Sequence, residues 1–216
     1  MATIKIYTDG SCLLNPGGPG GWAFVVADHT DITITDSTSF FCGGNKETTN
    51  NAMELTAILE ALRWAEDNNR SSFIIHSDSK YSMNVCNNWM HIWARNSWKN
   101  REGQKIANDG IVKSIYNLST KVAFKVEWVA GHSGNVFNEF ADSLASKMAF
   151  RIQGKEYAKY SDTGPGDRVM VGSSPFRIIA KFISTNIVVL QPIFDKRLKT
   201  MILEADEFDN REYIKI

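Results

Sequence analysis

The chain of 216 residues has a formal net charge of +0, with 43% hydrophobic and 22% charged residues. This is the composition of a globular protein of one or two domains and excludes a disordered or fibrous chain. The neutral overall charge confines any polyanion contact to local patches, and no apolar run approaches the roughly 20 residues of a membrane helix.

Thr3 to Asp9 alternates Ile4 and Ile6 with Lys5 and Tyr7 before Gly10-Ser11, the pattern of a strand and its end. The turn-rich stretch from Asn15 to Gly21 precedes an apolar strand over Trp22–Val26. Thr- and Ile-rich residues predict a third strand over Asp31–Phe41. Two hairpin connections would make these an antiparallel meander. From Asn50 to Asp67 the period turns helical, with Leu55, Ile58, Leu59, Leu62 and Ala65 on one stripe and Thr49 or Asn50 as the cap. A short apolar strand over Phe73–Ile75 leads to Asp78, and Ser79 can cap the next helix. A strand joined to the first one through a helix is suited to parallel pairing beside it. Residues 85–119 read as helical around a polar, tryptophan-bearing middle, Phe124–Val129 as a strand and Ser133–Phe150 as a helix.

Residues 151–166 are polar and end in Gly164-Pro165-Gly166, a linker pattern. Short β-like runs come next at Arg168–Val171, Phe176–Ile183, Ile187–Ile193, Thr200–Leu203 and Tyr213–Ile216, with no helical period. The expected division is therefore a domain over 1–150, a linker over 151–166 and a small all-β module over 167–216, SH3-like or OB-like. Lys181, Lys196, Arg197 and Lys199 make a candidate basic edge there, offset by Glu204, Asp206, Glu207 and Asp209. The three cysteines, Cys12, Cys42 and Cys86, are odd in number and lack CxxC spacing. This argues against a disulfide framework or a zinc site and for a reducing compartment. The opening residues lack the basic start and apolar core of a signal peptide. An intracellular protein, cytoplasmic or nucleoid-associated, is expected.

Four acidic residues form the candidate chemistry. Asp9 and Asp78 each stand at the C-terminal end of a predicted strand, where ligand sites of α/β sheets gather. Glu54 falls on the margin of the helical apolar stripe, and a carboxylate there is costly to desolvate without a cation. Asn138 and Asp142 are one i, i+4 step apart on the last helix, beside Phe137, Phe140, Ala141 and Leu144. Each carboxylate alone also suits a cap, a turn or a solvated surface. Convergence of all four would call for hard cations such as Mg²⁺ or Mn²⁺.

The blocks Asp9-Gly10-Ser11, Thr48-Thr49-Asn50-Asn51 with Met53-Glu54-Leu55, Ser77-Asp78-Ser79, Trp128 through Gly131-His132-Ser133-Gly134, and Asn138-Glu139 with Asp142 come in order at characteristic spacings. Residues 1 to about 150 thereby resemble type 1 ribonuclease H. The resemblance implies a five-stranded mixed sheet of order 3-2-1-4-5 with helices on both faces, and endonucleolytic cleavage of the RNA strand of RNA–DNA hybrids. It implies that Asp9 bridges two Mg²⁺ ions about 3.5–4 Å apart, with Glu54, Asp78 and Asp142 completing the shells and Mn²⁺ as a substitute. Products would carry 5′-phosphate and 3′-hydroxyl ends. His132 would assist proton transfer or product departure.

Substrate contacts implied by the same resemblance are Gly10, Ser11 and the Cys12–Asn15 loop, including Asn15, with Asn50 and Asn51, toward the RNA strand. Thr49 would hold a DNA phosphate, and Asn138 joins the substrate set. The stretch Trp89 to Arg101 resembles the basic protrusion that grips DNA, with Trp89, Trp93, Trp98 and Lys99 as its contacts. Packing is the competing reading for the tryptophans, just as capping is for Thr49 and Asn50. Three departures from the family pattern stand out. The protrusion is less basic than usual, Lys80 replaces a common glutamine and would add a phosphate contact to the substrate set, and Asn135-Val136-Phe137 replaces a His-Pro run. No hybrid-binding domain is expected ahead of the first strand. A monomer is expected, with dimerisation through the C-terminal module as the alternative. Rivals on the same fold are recombinases, resolvases or integrases, a non-catalytic binding module, and a nuclease part of a reverse transcriptase. The joint presence of Thr-Thr-Asn-Asn-x-Met-Glu and Gly-His-x-Gly, all four carboxylates and the tryptophan-bearing protrusion argue against these in turn.

Overall fold

The computed structural model describes residues 4–27, 34, 38–153, 163, 165, 167–171, 174–182, 187–192, 201–204, 208 and 214–215. It divides into two compact units, Met1–Ile152 and Gln153–Ile216.

In the first unit, β1 (Ile4–Cys12), β2 (Gly20–Ala27) and β3 (Ser39–Asn45) form the expected antiparallel meander. Helix α1 (Asn50–Asp67) carries the chain to β4 (Ser72–Ser77), which pairs parallel to β1. β5 (Ala123–Trp128) pairs parallel to β4, completing the order 3-2-1-4-5. Alternation along β1 and β2 sends Ile6 and Phe24 toward a core shared with Leu55, Ile58 and Leu62 of α1, all essentially inaccessible. Each such side chain contributes about 1.5–3 kcal/mol by leaving water. Tyr7, Val25 and Ala27 point the other way, onto Phe137 and Ala141 of α5 (Val136–Ile152). Helices therefore cover both faces, and the fold is the α/β architecture that the resemblance implied.

The helical region after β4 is one interrupted rod. α2 (Lys80–Asn84) runs into a π-helical turn over Val85–Trp89 and then α3 (Met90–Arg95); after a loop comes α4 (Asp109–Ser119). A π turn adds a residue to the helix and re-aims the next turn. Here it presents Asn87 to the edge strand, where its amide donates to Val126 O at 2.7 Å and accepts from Val126 N at 3.1 Å.

Several boundaries differ from expectation. β1 runs on to Cys12 instead of ending at Asp9, because its ladder with β2 continues to Cys12↔Gly20. The third strand is Ser39–Asn45 rather than Asp31–Phe41, because its ladder with β2 begins at Val26↔Ser39. Most of the Thr- and Ile-rich run before it lies outside the described residues. The last helix begins at Val136, not Ser133, because His132 and Gly134 adopt positive φ (51° and 86°), which no helix continues through.

The second unit holds an antiparallel sheet of β6 (Arg168–Val171), β7 (Ser174–Phe182), β8 (Ile187–Pro192), β9 (Met201–Glu204) and β10 (Ile214–Lys215), in the order β10-β6-β7-β8-β9. Val169, Phe176, Ile178, Val188, Leu190, Leu203 and Phe208 form its own core. Its described strands make the expected small β-rich module, with Phe208 the one described helical position in it. Most of the linker, and the charged positions 196, 197, 199, 206, 207 and 209, lie outside the described residues.

Candidate active site

The parallel ladder of β1 and β4 ends at Thr8↔Ser77. Asp9 and Asp78 are thus the next positions along the same register, side by side just beyond the ladder. Glu54 reaches them from the early turns of α1, because β1 and α1 approach to backbone contact at Gly10. A Cβ built on Gly10 would lie 2.1 Å from Glu54 N, so no other residue fits there. Ligand oxygens of Asp9, Glu54 and Asp78 lie within 4.8 Å of one another.

The surroundings of this triad make it costly without a cation. Asp9 and Glu54 are each only 5% exposed. Burial, then repulsion from Asp142 and Asp78, pushes the Asp9 carboxyl well above its ordinary range. Burial, then Asp9 and Asp78, does the same to Glu54, and the Gly10 backbone N–H offsets only part of each. Glu54 Oε2 is buried with no hydrogen-bond partner. An all-oxygen, anionic donor set with an orphaned buried oxygen fits a hard divalent cation.

Asp142 stands outside this closest triad yet near enough to repel Asp9. Its Oδ2 lies 3.7 Å from His132 Nδ1, and its Oδ1 accepts from Ser146 Oγ at 3.5 Å. Burial raises its pKa, with His132 working against that rise. The loop carrying His132 is tied at both ends: Ser133 Oγ donates to Ala130 O at 2.7 Å, and Gly134 N donates to Glu139 Oε1 at 2.8 Å. Asn135 Oδ1 accepts from Phe137 N and Asn138 N, both at 3.2 Å, which caps α5. The departure at Asn135 therefore leaves an anchored loop; its capping role was missed, although Asn before an apolar-periodic run is a cap signal.

Of the remaining predicted residues, Thr49 caps α1, its Oγ1 accepting from Ala52 N at 3.2 Å. Asn15 Oδ1 accepts from Asn50 N at 3.0 Å, pinning the glycine-rich loop to the helix start. Cys12 Sγ donates inward to Thr48 O and Gly18 O. Ser11 is half-buried and Asn51 exposed on the same rim. Gly10 is buried and offers only backbone.

Two of the expected substrate residues are not fully open to solvent. Asn138 is 1% exposed, and its Oδ1 is buried without a hydrogen-bond partner. Trp98 is half-buried, its ring edge-on to Tyr116 at 5.4 Å and packed against the core; packing is its evident role. Trp89 is exposed, and with Trp93, Ile92, Asn96, Lys99 and Arg101 it lines a groove of about 600 Å³. Trp93 itself leans on the core. Lys80 is exposed at the start of α2, its Nζ 4.8 Å from the Trp128 ring centroid.

The RNase H family model matches residues 1–150. This chain belongs to the ribonuclease H family, in its type 1 form. Ribonuclease HI of Neisseria meningitidis serogroup B is 39% identical over 147 residues, covering 68% of this chain and 95% of the relative. Ribonuclease H of Treponema denticola is 36% identical over 157 residues, covering 66% and 94%. Among solved structures, LC9-RNase H1, described as a type 1 RNase H with the type 2 active-site motif, is 30% identical with a TM-score of 0.58, covering 69% of this chain and 72% of that one. The foamy-virus PFV RNase H domain, at 20% identity and a TM-score of 0.59, shares the fold. The matched span ends where the first unit ends, so this ribonuclease H carries its carboxylate cluster wholly within residues 1–152.

Proposed function

We propose that this ribonuclease H cleaves the RNA strand of RNA–DNA hybrids by two-metal-ion catalysis at Asp9, Glu54, Asp78 and Asp142, leaving 5′-phosphate and 3′-hydroxyl ends. The observation that carries this reading is the convergence of Asp9, Glu54 and Asp78 oxygens within 4.8 Å, with Glu54 Oε2 buried and without a hydrogen-bond partner. Two Mg²⁺ ions, or Mn²⁺ in their place, would be held by these four residues and would supply charge neutralisation at the scissile phosphate and an activated water.

The chain's own residues do the rest. Asp9 lies beside both Asp78 and Glu54 and would be one of the residues holding the ions, and Gly10 N–H orients its carboxylate and that of Glu54. His132, exposed on its anchored loop, holds or passes a proton at Nδ1 next to Asp142. No covalent intermediate is needed, so catalysis here is positioning and electrostatics. Ser11, Asn15, Asn50 and Asn51 form the rim offered to the RNA strand, where 2′-hydroxyls distinguish RNA from DNA. The groove of Trp89, Trp93 and Lys99 is offered to the DNA strand, aromatic faces and cations serving sugar and phosphate. Thr49 can meet a phosphate only with what its capping leaves over.

The enzyme works in a reducing cell interior as a monomer, in keeping with free Cys12, Cys42 and Cys86. The C-terminal module adds hybrid affinity or, as the alternative to the monomer, mediates dimerisation; if residues 1–155 bind hybrid as tightly as the whole chain, the affinity role is wrong.

Incubation with Mg²⁺ and labelled hybrid, single-stranded RNA, double-stranded RNA and DNA tests the whole reading. The expected result is cleavage confined to the RNA of the hybrid, abolished in Asp9→Asn. Full cleavage by that variant removes the mechanism.

A further inference from the structure

Trp128 is the last residue of β5 and lies opposite Ser77 in the β4/β5 register, one residue from Asp78. It is 44% exposed, unusual for the largest side chain at the end of a sheet strand. Two contacts explain its placement. Its Nε1–H donates to the backbone carbonyl of Asp78 at 3.0 Å, and its ring face lies under the Lys80 ammonium at 4.8 Å. Among the described residues Lys80 forms no ion pair, although the carboxylate of Asp78 is two residues away. A flexible, strongly hydrated lysine beside an anionic cluster would otherwise sample many rotamers, or fold onto a carboxylate. A tryptophan face attracts the ammonium electrostatically, which favours the placement of Nζ over the Trp128 ring.

We propose that Trp128 is a positioning residue that holds Lys80 for an RNA-strand phosphate at the mouth of the carboxylate cluster and, through its indole N–H, fixes the Asp78 backbone. The proposal rests on the reading of that cluster as the cleavage site. Its two arms separate by chemistry. The ring face serves substrate binding through Lys80, and the N–H serves turnover through Asp78.

The test measures hybrid binding in EDTA as a function of salt, together with kcat and KM in Mg²⁺, for the full chain. Lys80→Gln is expected to weaken binding several-fold and to flatten the slope of log K against log salt by about 0.7–0.9, the signature of one lost phosphate contact. Trp128→Leu, which removes no charge, is expected to flatten the slope by a similar amount. The double variant should bind no worse than either alone. Trp128→Phe keeps a ring face and loses the N–H, so it should preserve the salt slope and lower kcat. Lys80→Arg should preserve the slope, since guanidinium also stacks on indole. An unchanged slope in Lys80→Gln, or in Trp128→Leu while Lys80→Gln changes it, overturns the proposal. So does an unchanged kcat in Trp128→Phe. Thermal melts of each variant separate these effects from misfolding. Wild-type cleavage with loss in Asp9→Asn tests the underlying reading separately.

Discussion

His132 Nδ1 lies 3.7 Å from Asp142 Oδ2, on a loop whose hydrogen bonds do not involve either carboxylate oxygen of Asp142. The histidine can therefore be removed without releasing the loop. His132→Ala is expected to lower kcat on the order of 10²-fold, the low end for a positioned acid or base. The Mg²⁺ concentration at half-maximal activity should stay near the wild-type value, because the triad of Asp9, Glu54 and Asp78 is untouched. Steady-state rates across a Mg²⁺ titration check both statements; a large rise in the Mg²⁺ requirement would make His132 a support of the metal site.

Gly131 tests positioning from the opposite side. A Cβ at this residue would lie 2.7 Å from Asp78 Oδ2, and its backbone is open to other residues, being outside the positive-φ glycines. Gly131→Ala should thus displace one carboxylate while leaving folding intact. Misplacement by about 1 Å can cost 10²-fold in rate, and a loss of that order in kcat is expected, with an unchanged melting temperature. Crystallographic or NMR evidence of an unmoved Asp78 alongside full activity would show that the side chain has room to yield.

Local signals in the sequence are enough for some elements and silent for others. Helix α1 is legible to the residue, since its period, Thr49 and the polar Asp67-Asn68-Asn69 run are all local signals. Connection rules place the fourth strand beside the first once a helix joins them, whereas the full order 3-2-1-4-5 comes from the family resemblance. Residues 31–36 read as a strand on composition, but where β3 begins is set by pairing, with Val26 facing Ser39. The start of α5 is displaced from its expected place because Ser133 resembles a cap, while its hydroxyl is spent on Ala130 O and Asn135 caps instead. At the site, Asp78 is legible as a strand-end residue, whereas Asp9 lies within β1, opposite Ala23 of β2, and the adjacency of the two is a consequence of parallel register. The burial of Asn138 is not legible, because an i, i+4 spacing from Asp142 identifies a shared face without saying whether it looks outward or inward. Trp128 carries no local signal for its role; only the register of β4 and β5 brings it to Asp78.

Asn87 is a structural prediction from the π turn. Its amide satisfies both the N–H and the C=O of Val126, a buried position on the outer strand of the sheet. Asn87→Ala leaves both groups without their partner, at about 1–3 kcal/mol for an unsatisfied buried group. Urea unfolding should show a loss in that range with an unchanged m-value. kcat should hold, since Asn87 sits away from the carboxylates on the rim of a separate groove with Cys86, His91 and Lys125. Cys86 should remain unreactive toward thiol reagents in the folded wild type, its pKa pushed up to about 12 by burial.

The raised carboxyl groups of Asp9 and Glu54 predict how metal-free protein responds to pH. Both are shifted upward in the folded state by burial and mutual repulsion, so over the affected range the folded chain binds more protons than the unfolded one. Their contribution to stability is fully present below the unfolded carboxylate range, around pH 4, and is lost as pH rises through the raised folded values. Asp9→Asn removes one of the repelling charges. In EDTA it should therefore gain stability relative to wild type at pH 7.5 and much less at pH 4.5, as read from melting curves at both values. Comparing the two proteins at each pH cancels the titration of carboxylates common to both. Mg²⁺ should reverse the order. The wild type gains stability as RT ln(1 + [L]/Kd), about 2.7 kcal/mol at a hundredfold excess over Kd, whereas Asp9→Asn, lacking one carboxylate of the cluster, gains little. Equal Mg²⁺-induced shifts in the two proteins would place the ions elsewhere.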